Sequence, residues 1–165
     1  MAPTARLASV LVLALVACGA KHVAPKAPAE PISTDPDVQA LAHTWIIDSH
    51  FLVKGSPITE KNAAEYDGRT LVISEEGYTS PFHPPCDHAA WKKSPRELSD
   101  LANELQLGDR AAANAAEAGL TSDLVEFRMT CTGRGKPPPV IVWLGGRVAM
   151  TCFGGACYMM KRFEE

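Results

Sequence analysis

The sequence is short of positive charge: 16 Lys and Arg stand against 19 Asp and Glu, a formal net charge of −3. A nucleic-acid footprint needs a basic stripe, and here Arg134 and Lys136 sit alone in a Gly-rich loop. Catalytic signatures are missing as well. There is no Gly-x-Ser-x-Gly elbow, no HExxH helix and no CxxC knuckle. Gly133-Arg134-Gly135-Lys136 lacks the glycine spacing of a phosphate loop, and Pro137 stands where a hydroxyl residue belongs. His43, His50, His83 and His88 are available as bases, with many serines, but no spacing sets one beside a nucleophile and an orienting acid. His50 is placed at the solvent end or face of the first strand. No apolar stretch reaches the ~20 residues that a membrane-spanning helix needs, and no internal repeat is visible. The expectation is a non-catalytic chain without a cofactor.

What is present begins at the N-terminus. Arg6 precedes an apolar stretch over residues 7–17, which suits the h-region of a signal peptide. That stretch ends in Leu15-Val16-Ala17-Cys18, which resembles the lipobox of bacterial lipoproteins. The resemblance implies a signal peptide over residues 1–17, cleavage after Ala17 and a fatty-acylated Cys18 as the anchor. Gly19 follows where an aspartate would mark inner-membrane retention, so the resemblance implies the outer membrane, facing the periplasm. Two or more acyl chains hold a protein firmly where one holds it marginally. Residues 18–39 carry prolines at 25, 28, 31 and 36 with no apolar periodicity, and read as a semi-rigid tether. An ordinary secretory signal is the plainer alternative.

Residues 40–165 then form one domain of about 126 residues, able to bury roughly two-thirds of the surface of its unfolded chain. With Cys18 assigned to lipid, Cys86, Cys131, Cys152 and Cys157 remain, and an even count in an exported chain reads as two disulfides. Three pairings are formally possible. In Cys152-Phe153-Gly154-Gly155-Ala156-Cys157, a two-residue Gly-Gly turn would set Cys152 opposite Cys157 as a non-hydrogen-bonded pair about 4.5 Å apart at Cα. A cross-strand bridge is feasible there, which leaves Cys86 for Cys131. A thioredoxin-like redox centre is disfavoured, because its cysteines are two residues apart at a helix N-terminus.

The domain reads as mainly β with short helices (β or α+β). Strands are expected at residues 44–53, 69–74, 78–82 and 122–131, the last with Val125, Phe127, Met129 and Cys131 inward. A three-stranded meander over 140–144, 147–153 and 156–161 ends the chain, its turns marked by Gly145-Gly146 and Gly154-Gly155. A helix capped by Thr59 should run to Tyr66 with Gly68 beyond it. Ser94-Pro95-Arg96-Glu97 has the form of a capping box and predicts a helix carrying Leu98, Leu101, Ala102 and Leu105, with another over 109–118. A single small antiparallel barrel or curved sheet of about six to seven strands hides such edges best. Trp45 in the first strand, Tyr66-Asp67-Gly68 before the second and the closing meander resemble the lipocalins, although His43-Thr44-Trp45 stands in place of the family's Gly-x-Trp.

Three functional readings follow. A barrel cavity for a small apolar ligand would be lined by Ile141, Trp143, Val148 and Met150, with Tyr158 or Met160 as further candidates; the bland reading of the four is packed core. A protein-binding or structural role at the membrane surface is the second, including inhibition of a cell-wall-degrading enzyme. The third is a periplasmic enzyme or zinc protein using His83, Cys86 and His88 in the stretch His83-Pro84-Pro85-Cys86-Asp87-His88. An oxidised Cys86 would weigh against it, since a disulfide sulfur is not a thiolate ligand.

Overall fold

A computed structural model describes residues 35–132 and 136–164. The lipobox with Cys18, most of the tether and the glycine loop with Arg134 lie outside the described residues. In chain order the elements are helix α1 (Pro36–Leu41), strand β1 (Thr44–Leu52), helix α2 (Glu60–Ala64), strands β2 (Thr70–Ile73), β3 (Tyr78–Thr79) and β4 (Ala89–Glu97), helices α3 (Leu98–Glu104) and α4 (Gly108–Glu117), and strands β5 (Asp123–Cys131), β6 (Val140–Gly145), β7 (Val148–Phe153) and β8 (Ala156–Arg162). All eight strands form one antiparallel sheet in the order β3-β2-β1-β8-β7-β6-β5-β4. The expected mainly-β fold, ending in a three-stranded meander, is what the chain adopts.

The sheet curls until its two edges almost meet. Tyr78 and Cys86 exchange backbone hydrogen bonds of 2.8 Å, and the Ala89 N–H donates to the Glu76 carbonyl at 2.7 Å. Across the same seam the Trp91 indole donates to the Glu75 carbonyl at 2.8 Å. The Cys86–Cys131 disulfide, with Cα atoms 5.7 Å apart, ties this edge to β5. Gly77 lets the two backbones approach so closely: a Cβ there would lie 1.9 Å from the Cys86 carbonyl oxygen. Strand β4 is the strand that the periodicity missed. Pro95 sits inside it, opposite Val125, and an edge strand tolerates a residue that cannot donate to a ladder. The expected capping box therefore does not form. Ser94 to Glu97 pair with β5, and α3 begins only at Leu98, with Glu97 extended and making no side-chain cap bond. Pairing along nine residues of β5 outweighs one local cap, which is worth about 1 kcal/mol.

Inside the curl the side chains interlock. Trp45, Leu71, Phe127, Met129, Val142, Tyr158 and Met160 are each under 2% exposed. A bulge between Ile47 and Ser49 shifts the phase of β1, so Trp45 and Ile47 point inward before it and His50 and Leu52 after it. Val125, Phe127, Met129 and Cys131 belong to the same inner cluster. Helix α1 closes the end where β1 starts. Asp35 caps it by accepting from the Asp37 N–H, the Trp45 indole donates to the Leu41 carbonyl at 2.8 Å, and Lys93 lies 2.5 Å from Asp35 and 2.9 Å from Asp37. The folded part thus reaches upstream of residue 40, into what the prolines made look like tether; Pro36 serves as a first-turn residue of this helix. Helices α3 and α4 cover the other face of the sheet, where Leu101, Leu107, Ala115 and Leu120 pack on Phe51, Trp143, Met150 and Met159.

Candidate functional site

Ile141, Trp143, Val148 and Met150 do not line the interior. They lie on the outer face, in or against the layer under α3 and α4. The inward residues of the same strands are Val140, Val142, Leu144 and Ala149, joined by Thr151. The reason is physical: β6 and β7 are covered on both faces, so both faces are apolar and alternation cannot choose between them. Tyr158 and Met160 do face inward, but fully buried among the packed rings and methionines.

The zinc-capable stretch is likewise taken apart. The Cys86 sulfur is bonded to Cys131. The His83 ring packs edge-on against Phe153 at 4.9 Å, and burial holds its pKa below the ordinary histidine value. His88 is exposed; its carbonyl accepts from the Thr132 N–H and hydroxyl. Among the described residues no group of three His, Cys, Asp or Glu side chains is placed to hold a metal ion.

Titratable and aromatic groups do converge at the barrel end opposite α1, where β1 finishes and the β7–β8 hairpin turns. His50 stands at its centre, with only 10% of its side chain exposed; the bulge turns it inward, against the expectation of a solvent-facing position. Its Nδ1 lies 2.9 Å from both carboxylate oxygens of Asp67. Its Nε2 is 3.3 Å from Glu60 Oε1, within ion-pair range but not aligned as a hydrogen bond. Glu60 is the first residue of α2, which Thr59 caps by accepting from the Asn62 N–H, and Asp67 lies in the turn after the helix, which closes on Gly68 at φ +77°. The sequence puts Glu60 on a helix and Asp67 just past it but gives no sign that they meet His50, because the His50–Asp67 contact spans 17 residues.

Around this cluster Phe82 stacks on Phe153 at 5.1 Å, and Tyr66 meets Phe82 at 4.9 Å and Tyr158 at 5.5 Å. The Tyr158 hydroxyl is buried without a hydrogen-bond partner among the described residues. Burial, with smaller effects from Tyr66 and Asp67, pushes its pKa up to about 12. Chemically the arrangement orients an imidazole and ties β1 to α2. A hydrolytic site would present Nε2 to a nucleophile; here Nε2 faces a second carboxylate.

The two disulfides are the pairs expected from the hairpin. Cys152 and Cys157 are register partners across β7 and β8, with Cα atoms 4.0 Å apart, and Gly154 and Gly155 supply the turn at φ +62° and +95°. Compared with known proteins, the chain matches no family model, no curated protein and no solved structure.

Proposed function

We propose that this chain is a lipid-anchored protein of the bacterial envelope, held through Cys18, whose β domain acts by surface recognition or as a structural module and not as a catalyst or a carrier. The packed interior carries the choice between these roles. Trp45, Phe127, Tyr158 and their neighbours occupy the volume in which a lipocalin-type ligand would sit, so recognition is left to the outside of the barrel. The anchoring half rests on Leu15-Val16-Ala17-Cys18 and the apolar stretch before it. The lipoprotein resemblance, with Gly19 in place of a retention aspartate, implies an outer-membrane position facing the periplasm, and the disulfides suit an oxidising compartment.

The two halves are tested separately. Fatty-acid labelling of cells should mark the wild-type chain and leave Cys18→Ala unlabelled and released from membranes; a labelled, membrane-bound Cys18→Ala chain would end the anchoring reading. Native mass spectrometry of the purified protein mixed with a long-chain fatty acid should show the bare chain only. A stoichiometric fatty-acid complex, lost on enlarging Ala149 to Trp, would restore the carrier reading.

A further inference from the structure

We propose that the Cys152–Cys157 bridge is a thiol–disulfide exchange site, open to a dithiol reductant while the domain stays folded, and that Cys86–Cys131 is sealed against the same reagent. The two bridges differ in access. Cys86 and Cys131 are 2% and 7% exposed; Cys86 borders a groove of about 270 Å³ along the seam but offers almost no surface to it. Cys152 is half-buried and lines a groove of about 410 Å³, together with Lys54, Glu104 and Gln106. Its partner Cys157 is fully buried. Exchange requires a thiolate to reach a sulfur, and Cys152, half-buried where Cys86, Cys131 and Cys157 are buried, presents its surface to a groove large enough to admit a reductant. Lys54 in the groove wall favours an incoming thiolate, while the carboxylate of Glu104 is engaged by Arg96.

The bridges also differ in what depends on them. Between Cys152 and Cys157 the chain separation is only 5 residues. The same hairpin is held by the β7–β8 ladder from Val148↔Lys161 to Phe153↔Ala156, and its tip by the Val53 N–H donating to the Gly155 carbonyl at 3.0 Å. Opening this bridge leaves that scaffold in place. Opening Cys86–Cys131 removes a covalent tie across the barrel seam, 45 residues apart in the chain.

The exchange balances as follows. The reductant's thiolate attacks Cys152 Sγ, forming a mixed disulfide; the Cys152–Cys157 bond breaks and its electron pair leaves on Cys157 Sγ, which takes a proton. The reductant's second thiolate then displaces Cys152 Sγ, which is protonated in turn. The chain gains two electrons and two protons, and the dithiol becomes a disulfide.

The full chain, in native buffer, is treated with dithiothreitol, quenched with iodoacetamide at intervals and mapped by peptide mass, with Cys18 scored apart. Cys152 and Cys157 should be alkylated at least about ten-fold sooner than Cys86 and Cys131, because the sealed pair waits for the seam to open, and near-UV circular dichroism should hold over that interval. Treatment with the monothiol glutathione should leave its adduct on Cys152. Simultaneous alkylation of both pairs, earlier alkylation of Cys86 and Cys131, or an adduct on Cys157 would overturn the proposal. The Cys152→Ala/Cys157→Ala chain provides a second check: it should keep the wild-type near-UV spectrum, and an unfolded double variant would equally defeat it.

Discussion

Removing the seam disulfide should cost the domain far more than removing the hairpin disulfide, and the difference can be worked from the two separations. In the chain-entropy account a bridge restricts the unfolded chain by an amount that grows with the logarithm of the loop it closes. For the 45-residue separation of Cys86 and Cys131 this comes to about 4 kcal/mol at 25 °C. For the 5-residue separation of Cys152 and Cys157 it comes to about 2 kcal/mol. Cys86 and Cys131 are both buried, against only Cys157 of the hairpin pair, so replacing the seam pair by alanine adds the larger packing loss, of order 1 kcal/mol. The comparison is Cys86→Ala/Cys131→Ala against Cys152→Ala/Cys157→Ala, each without reductant, by urea unfolding followed with far-UV circular dichroism. The seam variant should lose about 4–5 kcal/mol and some 12–20 °C in melting temperature for a domain of this size. Native-state hydrogen exchange should show where the loss falls: the amides of Tyr78 and Ala89, bonded across the seam, should speed up before those of β6 and β7. If the seam variant is no less stable than the hairpin variant, closure of the barrel does not depend on that bridge and the reasoning is wrong.

Gly77→Ala should be nearly as damaging as cutting the seam disulfide, since the added methyl meets backbone and not a yielding side chain; a variant with wild-type urea stability would show that the strands need not approach so closely. Phe127→Ala, which empties a ring from the sealed interior, should lower unfolding free energy by about 3–5 kcal/mol, and chemical denaturation measures it directly. Tyr158 sets an alkaline limit. Its folded pKa of about 12 lies above the ordinary value of 10.0, so the folded state binds its proton more tightly. That contribution is complete below about 10 and is lost as pH rises towards about 12. Tyrosinate absorbance should show one of the three tyrosines ionising last and together with unfolding, and Tyr158→Phe should remove that step; three equal titrations in a folded protein would refute it. At the acid end Lys93, chiefly by its hydrogen bond, holds Asp35 below the usual carboxylate range. Stability from this contact should be present at neutral pH and fade only as pH falls below 3.8, and Lys93→Ala should weaken that acid dependence, leaving the part due to the Asp37 and Val38 N–H groups, and increase exchange of the α1 amides.

Much of the fold could be read from local pattern. Alternation in residues 122–131 marked both the strand and its inward face, and Gly-Gly turns located the meander and, through it, the cysteine register. Strand β4 escaped because Ser94-Pro95-Arg96-Glu97 has a helix-start signature, and only pairing with β5 at an edge overrides it. Helix α1 escaped because its one proline, Pro36, resembles those of the tether, and its anchors, Lys93 and Arg162, lie far along the chain. The candidate lining Ile141, Trp143, Val148 and Met150 was assigned to the wrong face because helices cover the outside as heavily as rings fill the inside.

Short-range chemistry is therefore what the amino-acid order settles unaided here. Turn residues with positive φ, period-two alternation and a two-residue loop between cysteines act within a few positions, and their consequences are the meander and the hairpin bridge. The convergence of His50, Asp67, Glu60 and Tyr158 at one mouth, the direction in which β6 and β7 face, and the seam between Gly77 and Cys86 depend on how far the sheet curls. Curl is a sum over eight strands and the helices packed on their outer face, and no single stretch of sequence carries it.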